Sequence, residues 1–273
     1  MFMSQLIDGL NECDNASYHA DRKYLSSSVL KTVLKSLDDY KTQYIDGIAK
    51  VFGNRAALDE GSLSHALILE PHLVDQDFLF YPGFRKDGAA FDTFMAKLPD
   101  DRKRLPVIST PQYARVKQLH QAYLNCKTAT DLMTDVQCEQ TICGSLHGIP
   151  IKVRFDAISV ERGHIYDVKT TGYSGDVDSF KQTLSDLKYE LSGALYCAMA
   201  EQYYGKPFTF YYIVLSKRDM TCNVYRTSEA TAARGARMVV DACRKYLNAK
   251  ATNTWTEATI TATLKSSEEV LEV

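Results

Sequence analysis

Long apolar runs are missing. No stretch approaches the roughly 18 consecutive apolar residues that a membrane helix needs, so no membrane association is expected. The opening MFMSQLIDGLNECDN lacks the basic start and long apolar centre of a secretion signal, which points to a cytoplasmic protein. Net charge is also scarce, −2 over 273 residues. That excludes an overall electrostatic preference for nucleic acid but leaves room for a local basic groove, because the field in a cleft depends on nearby charges. The seven cysteines are odd in number and scattered, the pattern of reduced thiols in a cytoplasm. Cys138 and Cys143 have no second close pair, so they read as incidental thiols and not as a zinc or iron–sulfur site. Internal repeats and low-complexity tracts are absent as well.

What is present is a globular composition, 45% hydrophobic and 24% charged, with enough chain for a sizeable core. Serine caps and apolar residues at 29, 30, 33, 34 and 37 predict a helix over 26–47. EGSLSHALILEP (60–71) predicts a second, closed by Pro71. Residues 72–108 read as turns with one short helical run, and Pro111 opens a helix to about Leu132. Near Val136 the period changes. QCEQTICGSLHGIPIKVRFDAIS alternates apolar and polar residues, as a half-buried strand pair around a turn near 146–148 does. Ile151, Val153 and Phe155 face one way, and Lys152, Arg154 and Asp156 the other. GHIYDVKTT is another strand, 185–204 a helix stopped at Gly205, 208–217 and 221–228 strands, and 229–247 a helix. The last 20 or so residues read as weakly ordered. Helices, a meander of strands, then helix, strands and helix predict an α/β domain with an N-terminal helical elaboration.

The chemistry concentrates in VRFDAISVERGHIYDVKTT. Side chains two apart on a strand share a face, so Asp167 and Lys169 project together. If the strands pair as a hairpin across SVERG, Asp156 converges with them. Two carboxylates with a backbone carbonyl suit a hard cation such as Mg²⁺ or Mn²⁺, and an adjacent lysine suits developing negative charge. The same three groups also occur as ion-paired decoration of an exposed sheet, and their spacing does not decide between the two.

Asp156 followed by Asp167-Val168-Lys169 resembles the signature of PD-(D/E)XK nucleases in the form used by RecB-type and RecE-type exonucleases. Gly61-Ser62-Leu63-Ser64-His65, continuing to Leu69-Glu70-Pro71, resembles a helix of the RecE-like (exodeoxyribonuclease VIII) family. YHADRKYLSSSVLKTVLKSLDDYK (18–41) resembles that family's N-terminal segment and FRKDGAAFDTF (84–94) its basic loop. YELSGALYCAM (189–199) stands where the family carries Q-x-x-x-Y, with Ser192 at the glutamine position and Tyr196 retained. The resemblance spans roughly residues 17–250. It implies a restriction-endonuclease-like core, a central mixed β-sheet flanked by helices, in one nuclease domain over 1–273, with 17–135 mainly helical and 136–250 carrying the sheet. It implies a Mg²⁺- or Mn²⁺-dependent DNA exonuclease in which His65, Asp156, Asp167 and the Val168 carbonyl bind metal. Lys169 would assist the attacking water, and Tyr196 would position water or phosphate. It further implies double-stranded DNA ends as substrate, digestion from the 5′ end, phage-type recombination with a single-strand annealing partner, a ring-like homo-oligomer, and a bacterial or phage-infected cytoplasm.

Other residues carry weaker expectations. Arg85 and Lys86 are a candidate clamp on the DNA backbone or 5′-phosphate, or an ordinary solvated loop, and Ser192 is a candidate DNA contact. Arg154 either pairs with the carboxylates or contacts the scissile phosphate. Glu139 reads as a solvated strand end, with an accessory acid as the alternative, and Glu70 as a helix-end residue. Tyr203, Tyr204, Phe208, Phe210, Tyr211 and Tyr212 read as core. Two rival functions stay open: a RecB- or Cas4-like single-strand or flap nuclease, and a catalytically silent DNA-end-binding protein.

Overall fold

The computed structural model describes residues 6–48 and 55–256. The expected loose C-terminal tail lies, from residue 257 on, outside the described residues. Among the described residues no helix is long and apolar enough to cross a membrane.

Six strands form the central sheet: β1 (Gly9–Asn11), β4 (Gln137–Leu146), β5 (Ile149–Ser159), β6 (His164–Thr171), β7 (Thr209–Ser216) and β8 (Thr221–Arg226), in spatial order β1-β4-β5-β6-β7-β8. Within this sheet, among the described residues, only β6 and β7 run parallel. That pairing requires a crossover, supplied by α9 (Val177–Asp186) and α10 (Tyr189–Tyr204). The remaining helices are α1 (Asn15–Ala20), α2 (Ser27–Lys35), α3 (Leu37–Tyr40), α4 (Arg55–Leu69), α5 (Val74–Asp77), α6 (Gly88–Ala96), α7 (Thr110–Asn125), α8 (Lys127–Leu132) and α11 (Glu229–Thr252). The expected mixed sheet flanked by helices is therefore what the chain forms.

Each face of the sheet has its own core. Ile165, Phe210, Tyr212 and Val214 pack with α2, α10 and α11. Tyr166, Val168, Ile213 and Leu215 pack on the other face with Leu69, Leu119 and Tyr123. A small parallel pair, β2 (Leu79–Tyr81) with β3 (Val107–Ser109), extends the second side.

Several expected single helices are broken. The run over 26–47 stops at Lys35, where Ser36 turns extended and its hydroxyl caps α3 through Asp39 N–H. The run from Pro111 to Leu132 breaks at Cys126. The span 185–204 begins inside α9, and Lys188 in the left-handed region, φ 51°, separates it from α10. No glycine marks that break, so local sequence does not reveal it. The polar face of β5 is not solvated either. Lys152 is 4% exposed, and its ammonium donates to the carbonyls of Tyr18 (2.5 Å) and Asp21 (2.8 Å). The N-terminal segment thus covers that face.

Candidate metal centre

The centre forms where β5 separates from β6. Their ladder pairs Ser159 with His164, Ile158 with Ile165 and Ala157 with Tyr166, and goes no further. At that point β5 also changes allegiance: Val153 and Phe155 pack into one core and Ala157 into the opposite one. On the other side, β4 pairs Cys138 with Ala157 and Gln140 with Phe155. Glu139 lies between those pairs with φ 54°, a conformation that costs a non-glycine residue about 1–3 kcal/mol. The strain and the slipped alternation coincide at Glu139 and Asp156.

The lost ladder partner is replaced by a side chain. Buried backbone groups need partners, and Val168 is 1% exposed. Its N–H donates to Asp156 Oδ2 at 2.8 Å. Its carbonyl lies 2.9 Å from His65 Nε2, and the same nitrogen is 2.9 Å from Asp156 Oδ2. His65 reaches this point because α4 packs closely on β6: a Cβ on Gly61, one turn earlier, would stand 3.3 Å from Thr170 Oγ1. Ligand atoms of His65, Glu139 and Asp156 all lie within 4.8 Å of one another. Glu139 is held by the Arg154 guanidinium, which also donates to the Cys13 carbonyl at 3.2 Å. Glu139 is therefore no solvated strand end.

Asp167 and Lys169 occupy the adjoining half of the cleft, on the opposite face of β6 from Val168. Lys169 Nζ is 2.6 Å from Asp167 Oδ2, 3.5 Å from the Val168 carbonyl and 5.3 Å from the Tyr189 ring centroid. Tyr196 packs edge-on against Phe155 (5.7 Å) and Phe210 (6.0 Å). Its hydroxyl lies beside Ser27 and within electrostatic reach of both aspartates. Ser192 is buried on the same helix, 8% exposed.

Charge is arranged asymmetrically. Burial pushes the Glu139 carboxyl up, and neighbouring Asp156 adds to this. Burial likewise raises Asp167; Lys169 opposes that, and Asp156 reinforces it. For Asp156 itself, burial is outweighed by His65, Lys169 and the Val168 N–H, which hold it below the usual carboxylate range. Burial disfavours the His65 imidazolium, yet the Asp156 carboxylate more than compensates and raises the pKa to about 9. The site thus attracts positive charge, and in this geometry a proton on His65 sits where acidic ligands converge. One imidazole nitrogen, two carboxylates and a backbone carbonyl form a donor set that fits Mg²⁺ or Mn²⁺.

Other expected site residues are engaged elsewhere. Lys86 donates to Asp59 (3.0 Å) and the Val107 carbonyl (2.8 Å). Arg85 pairs with Asp87 at 2.8 Å. Glu70 ends α4, its N–H bonded to the Ala66 carbonyl. One residue at the cleft, Lys31, escaped the sequence reading, whereas Tyr189 was expected on one helix face with Ser192 and Tyr196. Tyr189 carries Lys169 on its ring, and Lys31 of α2 lies 4.9 Å from the centroid of the same ring. Burial and the Lys169 charge push the Lys31 ammonium down to about 8. The available signal was the i,i+4 spacing of Ser27 and Lys31, which puts both on one face of α2.

Comparison with known proteins follows the same lines. The family profile described as PDDEXK-like domain of unknown function (DUF3799) matches residues 26–263. A crystal structure of a Eubacterium rectale protein provisionally named an exonuclease aligns over 84% of this chain and 83% of its own, with TM-score 0.61 and 16% identity, a likeness of fold. A phage related exonuclease from Haemophilus somnus aligns over 86% of this chain and 99% of its own, at TM-score 0.37 and 9% identity. No curated protein matches the sequence.

Proposed function

Since the chain belongs to the PDDEXK-like family DUF3799, we propose that it is a divalent-metal-dependent deoxyribonuclease acting on the ends of linear double-stranded DNA. The observation that carries this reading is the convergence of His65, Asp156 and Glu139 on one point beside the Val168 carbonyl, next to the Asp167–Lys169 pair.

His65, Asp156, Glu139 and the Val168 carbonyl would hold the cation, with Asp167 completing the acidic wall. A bound Mg²⁺ or Mn²⁺ supplies acidification of a water and neutralisation of charge on the attacked phosphodiester. Lys169 presents its ammonium where negative charge develops, and Asp167 fixes its direction. Arg154 orients Glu139, and the Val168 N–H orients Asp156; partners of this kind set how well ligands bind. Tyr196 closes the cleft from α10, beside Ser27 of α2. Digestion from 5′ ends, a ring-like oligomer and a recombination partner that anneals single strands rest on the resemblance to RecE-like exonucleases.

The test is digestion of linear duplex DNA with Mg²⁺ by the wild type, Asp156→Ala and Lys169→Ala. Loss in both variants supports the assignment. Unchanged digestion in the variants removes it, and no digestion by the wild type favours a DNA-end-binding protein. 5′-labelled, 3′-labelled, single-stranded and closed circular substrates then report polarity, strandedness and end dependence.

A further inference from the structure

We propose that Lys31 is a DNA-contacting residue that takes a phosphate oxyanion in the cleft beside Lys169. Three cations surround the carboxylates, and two are committed. Arg154 is bound to Glu139 and the Cys13 carbonyl, and Lys169 is bound to Asp167. Lys31 has a neighbour of like charge and an aromatic face, and among the described residues no carboxylate lies within ion-pairing distance of it. A partly buried ammonium without an anion forfeits hydration without an ion pair in return. Two ammonium groups share one tyrosine ring, Asp167 is paired with Lys169, and Asp167 and Glu190 act on Lys31 only at longer range, which leaves Lys31 able to take an anion.

DNA brings that anion. Phosphate oxygens are the natural partner of a lysine acting as a point charge, and a cation carrying no carboxylate gives up no competing pair when it binds one. The packing also fixes the position. On α2, Ser27 lies beside Tyr196, and Lys31 lies one turn further along, against Tyr189. The same helix face therefore contacts α10 at both tyrosines, and Lys31 is delivered to the Lys169 end of the cleft. The alternative is that Lys31 only packs its aliphatic stem against Tyr189. This inference rests on the nuclease reading for its substrate, but its test does not require catalysis.

Binding of a short fluorescent duplex is measured by anisotropy with Ca²⁺ in place of Mg²⁺, over a series of salt concentrations. Lys31→Met keeps the stem over Tyr189 and removes the charge. It is expected to weaken binding on the order of tenfold and to lower the salt slope by about one counterion. Lys31→Arg is expected to keep most of the affinity and the slope, and Lys35→Gln, a change at an exposed residue of the same helix, to change neither. A purely packing role predicts lower thermal stability with affinity and slope unchanged, and that result overturns the proposal. Should Lys31→Met fold poorly, Lys31→Gln decides: weaker binding with a lower salt slope supports the contact, and affinity and slope equal to those of Lys35→Gln overturn it. Duplexes with 5′-phosphate and 5′-hydroxyl ends separate the two sources of the oxyanion. A loss confined to the 5′-phosphate assigns Lys31 to the terminal monoester, and an equal loss on both assigns it to a diester. A wild type that binds but does not digest with Mg²⁺ refutes the nuclease reading alone; one that binds no DNA refutes the contact as well.

Discussion

Helix α4 serves two ionic clusters only a turn or two apart, and they are built differently. At Asp59 and Glu60, each 6% exposed, the acids are matched by cations. Lys86 takes Asp59 at 3.0 Å, Arg115 takes Glu60, and Lys217 stands 3.9 Å from the other Glu60 oxygen. At His65 the balance is reversed. Asp156 is hydrogen-bonded by an imidazole and a backbone N–H, with Lys169 acting on it only at longer range, while Glu139, held by Arg154, brings a second carboxylate toward the same point. A buried acid with its lysine or arginine in place is a closed structural pair. A buried acid whose counter-charge is an exchangeable proton on histidine can accept a metal instead. The difference lies in what balances the acids and in where they stand: Asp59 and Glu60 are buried on α4, whereas Asp156 and Glu139 are half-buried on β5 and β4.

That contrast can be broken at either end. The largest effect is expected from Asp156→Ala, with digestion falling by about 10²-fold or more. The metal-dependent rise in melting temperature should disappear with it; in the wild type that rise corresponds to about 2.7 kcal/mol at 100 times the dissociation constant. A Mn²⁺-induced shift that persists in the variant would move the cation to another site. Next in size is Lys86→Ala. It strands Asp59 and should cost about 2–3 kcal/mol in urea unfolding, below the fully buried range because Lys86 is partly exposed. Adding Asp59→Asn should restore much of the loss. If stability holds and DNA affinity falls instead, the first cluster is not a closed one and Lys86 acts as a clamp.

Glu139→Gln keeps the shape of the residue but removes its charge, and about 10–100-fold weaker metal binding by calorimetry is expected. An unchanged affinity would leave Glu139 as the anchor of Arg154 alone. The smallest effect belongs to Arg85→Ala, where an exposed pair with Asp87 is lost and stability should stay within about 0.5 kcal/mol. Its DNA affinity then shows whether the loop reaches the duplex.

Much of this was legible along the chain. The strand run GHIYDVKTT, the hairpin across SVERG and the helix bearing His65 depend on alternation and helical spacing over a few residues, and all are present. The pairing of β2 with β3 was not legible, because the partners are separated by more than twenty residues of turn and helix. Nor was the break at Lys188, where a lysine takes a backbone region that local preference would leave to glycine.

The order of residue types alone placed the candidate groups: one histidine at a fixed turn of a helix, an aspartate on one strand, and Asp-x-Lys on the next. These follow from periods of 3.6 and 2, which are properties of the local backbone. Only the folded chain decided how they are shared out. The slipped alternation at Asp156 and the left-handed Glu139 bring a fourth group to the imidazole, and the packing of α2 on α10 supplies Lys31. Both depend on strands and helices far apart in the chain, whose contacts no local pattern encodes.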